Sequence, residues 1–372
     1  MDMTEQKNDF GVGSVEQNII RMAVPMTVAQ ILNLLYNLVD RMYIGHIPGA
    51  SSLALTGVGI TFPIISMITA FANLFGMGGA PLCSMARGRR DYDAAKRYMQ
   101  NAFWMLLAAG VVLTVTGYVI EKPLLYALGA SSVTYPYASS YLRIYLLGNM
   151  FVMVGIGMNP FINAQGFGTM GMVTVGLGAL VNIILDPLFI FVFHMGVEGA
   201  AIATIIAQFL SALWVLFFLT GEKPDLRLKI CWRKPEFTVV KEIVSLGLSN
   251  FFMLFTNSLV QVVCNRQLQL YGGDLYVGVM TVLISVRDVA TMVVNGITSG
   301  AQPVISFNYG AQKKDRVKQG IRFMVTICII YTCLMWIMTL TFPEAFTRIS
   351  QKPRKPWHSE CRSCSSVCMP AC

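Results

Sequence analysis

The sequence predicts an all-α polytopic membrane protein built as a two-lobe helical bundle, on three observations. Of its 372 residues, 55% are hydrophobic and only 13% charged, with a mean hydropathy of +0.59, whereas soluble domains carry about 25% charged residues. Nine apolar segments, at about 20–44, 53–82, 98–120, 137–160, 167–193, 198–220, 239–268, 276–304 and 321–342, are each long enough for a bilayer, which takes roughly 20 apolar residues per helix. The third observation is an internal repeat. Shifting the chain by 222 residues lays Asn73, Gly78, Pro81, Ser84, Gly88, Asp93 and Lys96 on Asn295, Gly300, Pro303, Ser306, Gly310, Asp315 and Lys318 without a gap.

Both copies of the repeat lie at the end of an even-numbered span and in the basic loop after it. Two copies six spans apart keep one orientation, so the repeat is parallel. Secondary transporters are often built from such repeats, with the substrate site near the midplane. Residues 1–221 are then an N-lobe of six spans, 222–238 a basic linker, and 239–349 a partial C-lobe of three spans. A complete second lobe would end near residue 443, so the chain holds about nine of twelve spans. Residues 350–372 have no apolar span and read as a disordered, non-homologous tail. Its basic character on what should be the outer side points to a frameshift or premature end near Ser350.

The polar first 18 residues and the length of the first span argue against a cleavable leader. The net charge of +9 is explained by its distribution. Arg87, Arg89, Arg90, Lys96 and Arg97 follow span two. Lys223, Arg227, Lys229, Arg233, Lys234 and Lys241 follow span six, and Lys313, Lys314, Arg316, Lys318 and Arg322 follow span eight. The positive-inside rule puts these loops and the N-terminus in the cytoplasm, and no nucleic-acid partner is needed.

Span one carries Gln30, Asn33, Asn37 and Asp40, spaced by three, four and three and so on one helix face. Amides there commonly hydrogen-bond between helices. An ionised Asp at the bilayer centre costs roughly 2.5–3.5 kcal/mol on insertion scales, so intramembrane carboxylates usually have a function. Asp40 lies towards the outer end of its span and could instead be an interfacial residue beside Arg41. Pro25, about four turns earlier, is a candidate hinge, since proline kinks helices.

Span four holds Asn159 and Asn163 around Pro160. Span five holds Asn182 and Asp186, followed by Pro187, and span six holds Thr204 and Gln208. Each pair is spaced i, i+4 on one face. Pro187 supplies no N–H and disturbs the carbonyl four residues back. Freed carbonyls beside a carboxylate and an amide suit a cation. The repeat places Phe252, Phe255, Leu259 and Val262 under the stripe of span one. Span seven has a polar face, Asn257, Gln261 and Asn265, but no acid, and span eight offers the adjacent pair Arg287 and Asp288, read as a structural ion pair. Ion coupling is therefore expected in the first lobe.

The chain has no phosphate-binding loop and no H-E-x-x-H, and His46, His194 and His358 are far apart. Asp91-Tyr92-Asp93 reads as a helix N-cap rather than as the metal motif of a transferase. Cys361, Cys364, Cys368 and Cys372 are spaced too tightly for a known zinc finger. An enzyme is not expected, nor a metal or other cofactor.

The stretches "AVPMTVAQILNLLYNLVDRMYIGH", "VNIILDPLFIF", "GVEGAAIAT" and "GAQPVISFNYGA" resemble the multidrug and toxic compound extrusion (MATE) family over about residues 15–349. The resemblance implies a twelve-span secondary antiporter of two six-helix lobes that expels organic cations and other drugs in exchange for H⁺ or Na⁺. It places the coupling ion at Asp40, Asn182, Asp186, Asn159 and Thr204, and the hinge at Pro25. Gln30, Asn33, Asn37, Asn163 and Gln208 are expected to line the polar cleft. The expected protein is a monomer in the inner membrane with no partner beyond substrate and bilayer. The alternatives are a lipid-linked oligosaccharide flippase of related fold, which should carry more Lys and Arg in its spans, and a non-transporting fragment.

Overall fold

A computed structural model describes residues 9–47, 51–229 and 235–341, and among them there is no strand. The helices are α1 (Val15–Ile44), α2 (Ser51–Gly88), α3 (Tyr92–Ala127), α4 (Tyr135–Leu147), α5 (Asn149–Ala164), α6 (Gly168–Pro187), α7 (Gly196–Thr220), α8 (Phe237–Gly310) and α9 (Lys314–Thr341). The expected tail at 350–372, with its four cysteines, lies outside the described residues.

Local chemistry sets the ends. Ser14 Oγ accepts from Gln17 N at 3.3 Å ahead of α1. Asp91 Oδ1 accepts from Ala94 N at 2.9 Å, so the N-cap read from the sequence is formed. Arg90 after α2 and Gln312 after α8 both turn through positive φ, +62° and +58°, a common way to end a helix. They are one repeat length apart, so the repeat extends from residue type to backbone conformation.

Among the described residues, seven helices are long and apolar enough to cross a membrane, or eight if the bent pair α4 and α5 counts as one span. That pair is the expected span 137–160, broken at Gly148 by 59°. Span five does not stop at Pro187. The helix passes into a single π turn, Leu188–Val192, directly after Asp186 and the proline. A π turn absorbs the missing N–H without ending the helix and is frequent at functional sites.

The segments read as spans seven and eight, 239–268 and 276–304, fall within one element, α8, 74 residues long. It holds no proline before Pro303, and Gly272 and Gly273 weaken a helix by only about 1 kcal/mol each. Yet α8 is not straight. Its Gly247 packs on Leu74 of α2 and its Gly310 on Met85 of the same helix. Those contact points are only about 17 Å apart along α2, against about 95 Å between Gly247 and Gly310 in a straight α8 at 1.5 Å per residue. The element therefore doubles back as two limbs.

Two apolar clusters result. The larger is built from α2 to α7 around Met99, Leu106, Met153, Met158, Phe161 and Ile162. The smaller joins Phe10, Val15, Ile19 and Met22 to Ala301 and Val304 of α8, with Phe307 and Phe323 against it. The lower part of α1 therefore packs on α8 and α9. Helix α6 runs along α1 from Met22, beside Gly168, to Leu32, beside Gly176.

Candidate functional site

Four helices converge on a buried polar group. From α1 come Tyr36 and Asp40, from α6 Asn182 and Asp186, from α7 Thr204, and from α4 Tyr141 and Tyr145. Asp40 is 6% exposed, Asp186 and Asn182 0%, and Thr204 4%. Asp40 lies within hydrogen-bonding reach of Asp186. Asn182 Nδ2 donates to Asp186 Oδ1 at 3.2 Å and reaches Thr204 Oγ1 at 3.4 Å. Thr204 Oγ1 donates back to the Ala200 carbonyl at 2.9 Å. Tyr36 and Tyr141 also come within reach of the Thr204 hydroxyl.

The i, i+4 spacing in α6 puts amide and carboxylate on one face, as read from the sequence. Asp186 Oδ2 and Asn182 Oδ1 are buried oxygens with no hydrogen-bond partner among the described residues. Acceptors in such a place call for a donor or a cation. The ring of tyrosines was missed from sequence. Tyr36 sits four residues before Asp40 and had a signal at helix spacing. Tyr141 and Tyr145, at i, i+4 on α4, are brought in by the break at Gly148 and carried none.

The other expected residues fall elsewhere. Asn33 and Asn37 are exposed and bonded together, Asn37 Nδ2 reaching Asn33 Oδ1 at 3.1 Å and its carbonyl at 2.7 Å. Gln30 lies one turn earlier and is half-buried. Asn159 is not part of the carboxylate group. Its Nδ2 donates to the Gly171 carbonyl at 3.3 Å, about four helical turns along α6 from Asp186. The i, i+4 pairing gave the correct face of α5 but not the depth at which that face meets α6. Asn163 is buried with its Oδ1 unpartnered, and lines a cavity of about 30 Å³ with Ser84, Pro160, Gln302 and Pro303. Gln208 is one turn from Thr204, beside Gly155 of α5. Arg287 and Asp288 form the expected ion pair at 3.2 Å on the surface.

Pro25 lies within α1, and α8 packs on that helix to both sides of it. On either side of it, Ala23 and Thr27 are packed so closely on Gly300 and Gly296 of α8 that a Cβ on either glycine would meet α1 backbone.

At the end that carries the basic loops the bundle is closed. A Cβ on Gly88 would run into the Phe307 carbonyl, and one on Gly310 into that of Met85. The 222-residue shift exchanges these two contacts, so α2 and the second limb of α8 meet across a pseudo-two-fold seam. Beside it, buried Arg87 donates to the Ala164 carbonyl at 2.8 Å and pairs with Asp225 at 2.8 Å.

Comparison with known proteins follows the same lines. The family model described as MatE matches residues 25–188 and 250–356. The multidrug export protein MepA of Staphylococcus haemolyticus is 27% identical over 353 residues, covering 94% of this chain and 77% of that protein. MepA of Staphylococcus aureus is 26% identical over 338 residues, covering 88% of this chain and 74% of that protein. A solved outward-facing multidrug resistance MATE transporter of the MOP superfamily superposes with a TM-score of 0.85 at 23% identity, covering 91% of this chain and 75% of that one.

Proposed function

The chain belongs to the MatE family of multidrug efflux transporters, and from that premise we propose an ion-coupled antiporter that exports organic cations by alternating access. The single observation that carries the proposal is the pair Asp40 and Asp186, two buried carboxylates in contact with one another. Two such groups cannot both hold a bare charge and are stable only with a shared H⁺ or a Na⁺. Asp186 Oδ2, Asn182 Oδ1 and the Thr204 hydroxyl supply further oxygen ligands. The stripe of half-buried Gln30 and exposed Asn33 and Asn37 continues from this pair along α1, and a polar face inside a membrane fits a cleft better than lipid. Asn163 and Gln208 belong to the same cleft, while Asn159 serves the packing of α5 on α6.

In this mechanism residues 1–221 are one lobe and α8 with α9 part of the other. The chain is set in the cell membrane with its basic loops and N-terminus in the cytoplasm, as the distribution of Lys and Arg supports. Ion entry from outside changes the charge between α1 and α6, α1 bends at Pro25, and the lobes exchange the side on which their cleft opens. Drug is released outward when the seam at Gly88 and Gly310 is closed. Purified protein in liposomes tests this with an imposed H⁺ or Na⁺ gradient and a fluorescent organic cation. Gradient-driven movement is expected, and Asp40→Asn or Asp186→Asn should abolish it at unchanged expression. Wild-type rates in both variants would remove the carboxylates from the mechanism.

A further inference from the structure

Residues 9–14 precede α1 and, with its first turn, lie across the loop between α8 and α9. Arg316 holds them there. Its Nη1 donates to the Gly13 carbonyl at 2.9 Å and its Nη2 to the Phe10 carbonyl at 3.1 Å, while Nε is held by Asn308 Oδ1 at 2.9 Å. Asn308 Nδ2 adds a second bond to Phe10 O at 3.1 Å, and Lys313 Nζ reaches Gly11 O at 2.9 Å. Gln319 Nε2 closes the row on Glu16 Oε1 at 2.6 Å. Three backbone carbonyls are thus captured by two cations, and charge-assisted bonds of this kind are the stronger ones. The Phe10 ring, 4% exposed, packs edge-on against Phe307 at 5.9 Å. Phe307 is the residue whose carbonyl faces Gly88 and whose ring lies 5.9 Å from the Arg87 guanidinium.

We propose that Arg316 is a positioning residue for transport, anchoring the strap 9–14 and the foot of α1 to α8 and α9. The inference rests on the alternating-access reading. Its physical content is that α1 is fixed at both ends to different partners: its upper part, with Asp40, to α6, and its foot to the α8–α9 loop. With the foot held, relative motion of the lobes is taken up as bending at Pro25. With the foot free, the whole of α1 follows α6, and the cytoplasmic seam opens without a bend and without reference to the ion site. Arg316 therefore makes seam opening depend on Asp40 and Asp186.

Spin labels at Asp93→Cys and Asp315→Cys, in a background without native cysteines, read the seam directly. Both positions are exposed and one repeat length apart. The expected wild-type result is two distance populations whose ratio changes with pH or Na⁺. Arg316→Gln should raise the long-distance population at least threefold under all conditions and remove its response to ions. Arg316→Lys, which keeps the charge but not the fork, should fall between. A variant lacking residues 2–13 leaves Arg316 in place, removes the three carbonyls that it and Lys313 hold, and should behave as Arg316→Gln does, which covers the case in which Arg316→Gln folds poorly. Wild-type ratios and ion response in a folded Arg316→Gln or in the strap deletion would overturn the proposal. A wild type with one distance, indifferent to ions, would overturn the alternating-access reading and this proposal with it.

Discussion

Replacing Gly88 by alanine tests the seam quantitatively. An ideal Cβ on Gly88 would lie 2.9 Å from Ala311 N and 3.0 Å from the carbonyl carbon of Phe307. Both are backbone atoms inside or capping a helix, so no side chain can rotate away, and α2 and α8 must move apart. Overpacking of this kind costs about 1–3 kcal/mol. The cost falls on the closed seam alone, so the closed-to-open equilibrium should shift by about 5- to 150-fold. A cysteine at Gln302, which faces the small cavity between α2, α5 and α8, reports opening through its rate of alkylation, read at that peptide by mass spectrometry. Gly88→Ala should raise this rate about tenfold or more. Gly59→Ala is the control, since a Cβ on Gly59 of the same helix meets nothing within 4 Å, and should leave the rate unchanged. Gly310→Ala should act in the same direction, and the double variant should fall short of the sum, because one separation of the helices relieves both contacts. Equal rates in Gly88→Ala and wild type, or equal increases in Gly88→Ala and Gly59→Ala, would refute the reasoning.

Two further expectations follow from the carboxylate group and from α3. Thr204→Val keeps the volume but removes the hydroxyl shared by Asn182, Tyr36 and Tyr141. It should raise the ion concentration for half-maximal efflux by about tenfold or more, by analogy with second-shell losses at metal sites, and an unchanged dependence would remove Thr204 from the site. Glu121→Ala removes the buried acceptor of Ser139 and of Arg143 Nε at 2.8 Å. It should lower stability by about 1–3 kcal/mol through the orphaned Ser139 hydroxyl. Arg143 is 59% exposed, so its loss of a partner adds little. Thermal unfolding in detergent measures it, and a melting temperature equal to wild type would contradict it.

What the sequence made legible was what depends on local periodicity. Runs of apolar residues gave the helices, i, i+4 spacing put Asn182 with Asp186, and the proline marked the π turn. The residue-by-residue repeat anticipated the paired glycines Gly88 and Gly310, although not that each packs next to the other's copy. What was hidden depends on how deep one helix sits against another. Asn159 and Asn182 read alike along the chain, yet α5 meets α6 at Gly171, near its start, and only Asn182 reaches the carboxylates. Tyr141 and Tyr145 needed the break at Gly148, and the contacts of Arg316 with Phe10 and Gly13 span some 300 residues. No window of sequence contains such a pair.

The seam has the form of the self-complementary patch of a two-fold homodimer, in which residue i touches j and j touches i. Within one polypeptide that symmetry is a relic of duplication, because each copy can drift alone. The two have drifted unequally. Gly88 and Gly310 with Met85 and Phe307 still answer one another, whereas the position equivalent to Asp40 is Val262. The repeat has kept both copies of this helix contact, but not the acid of span one. A change at the joint can be compensated by a change in its twin, while the repeat position of Asp40, Val262, holds no second carboxylate.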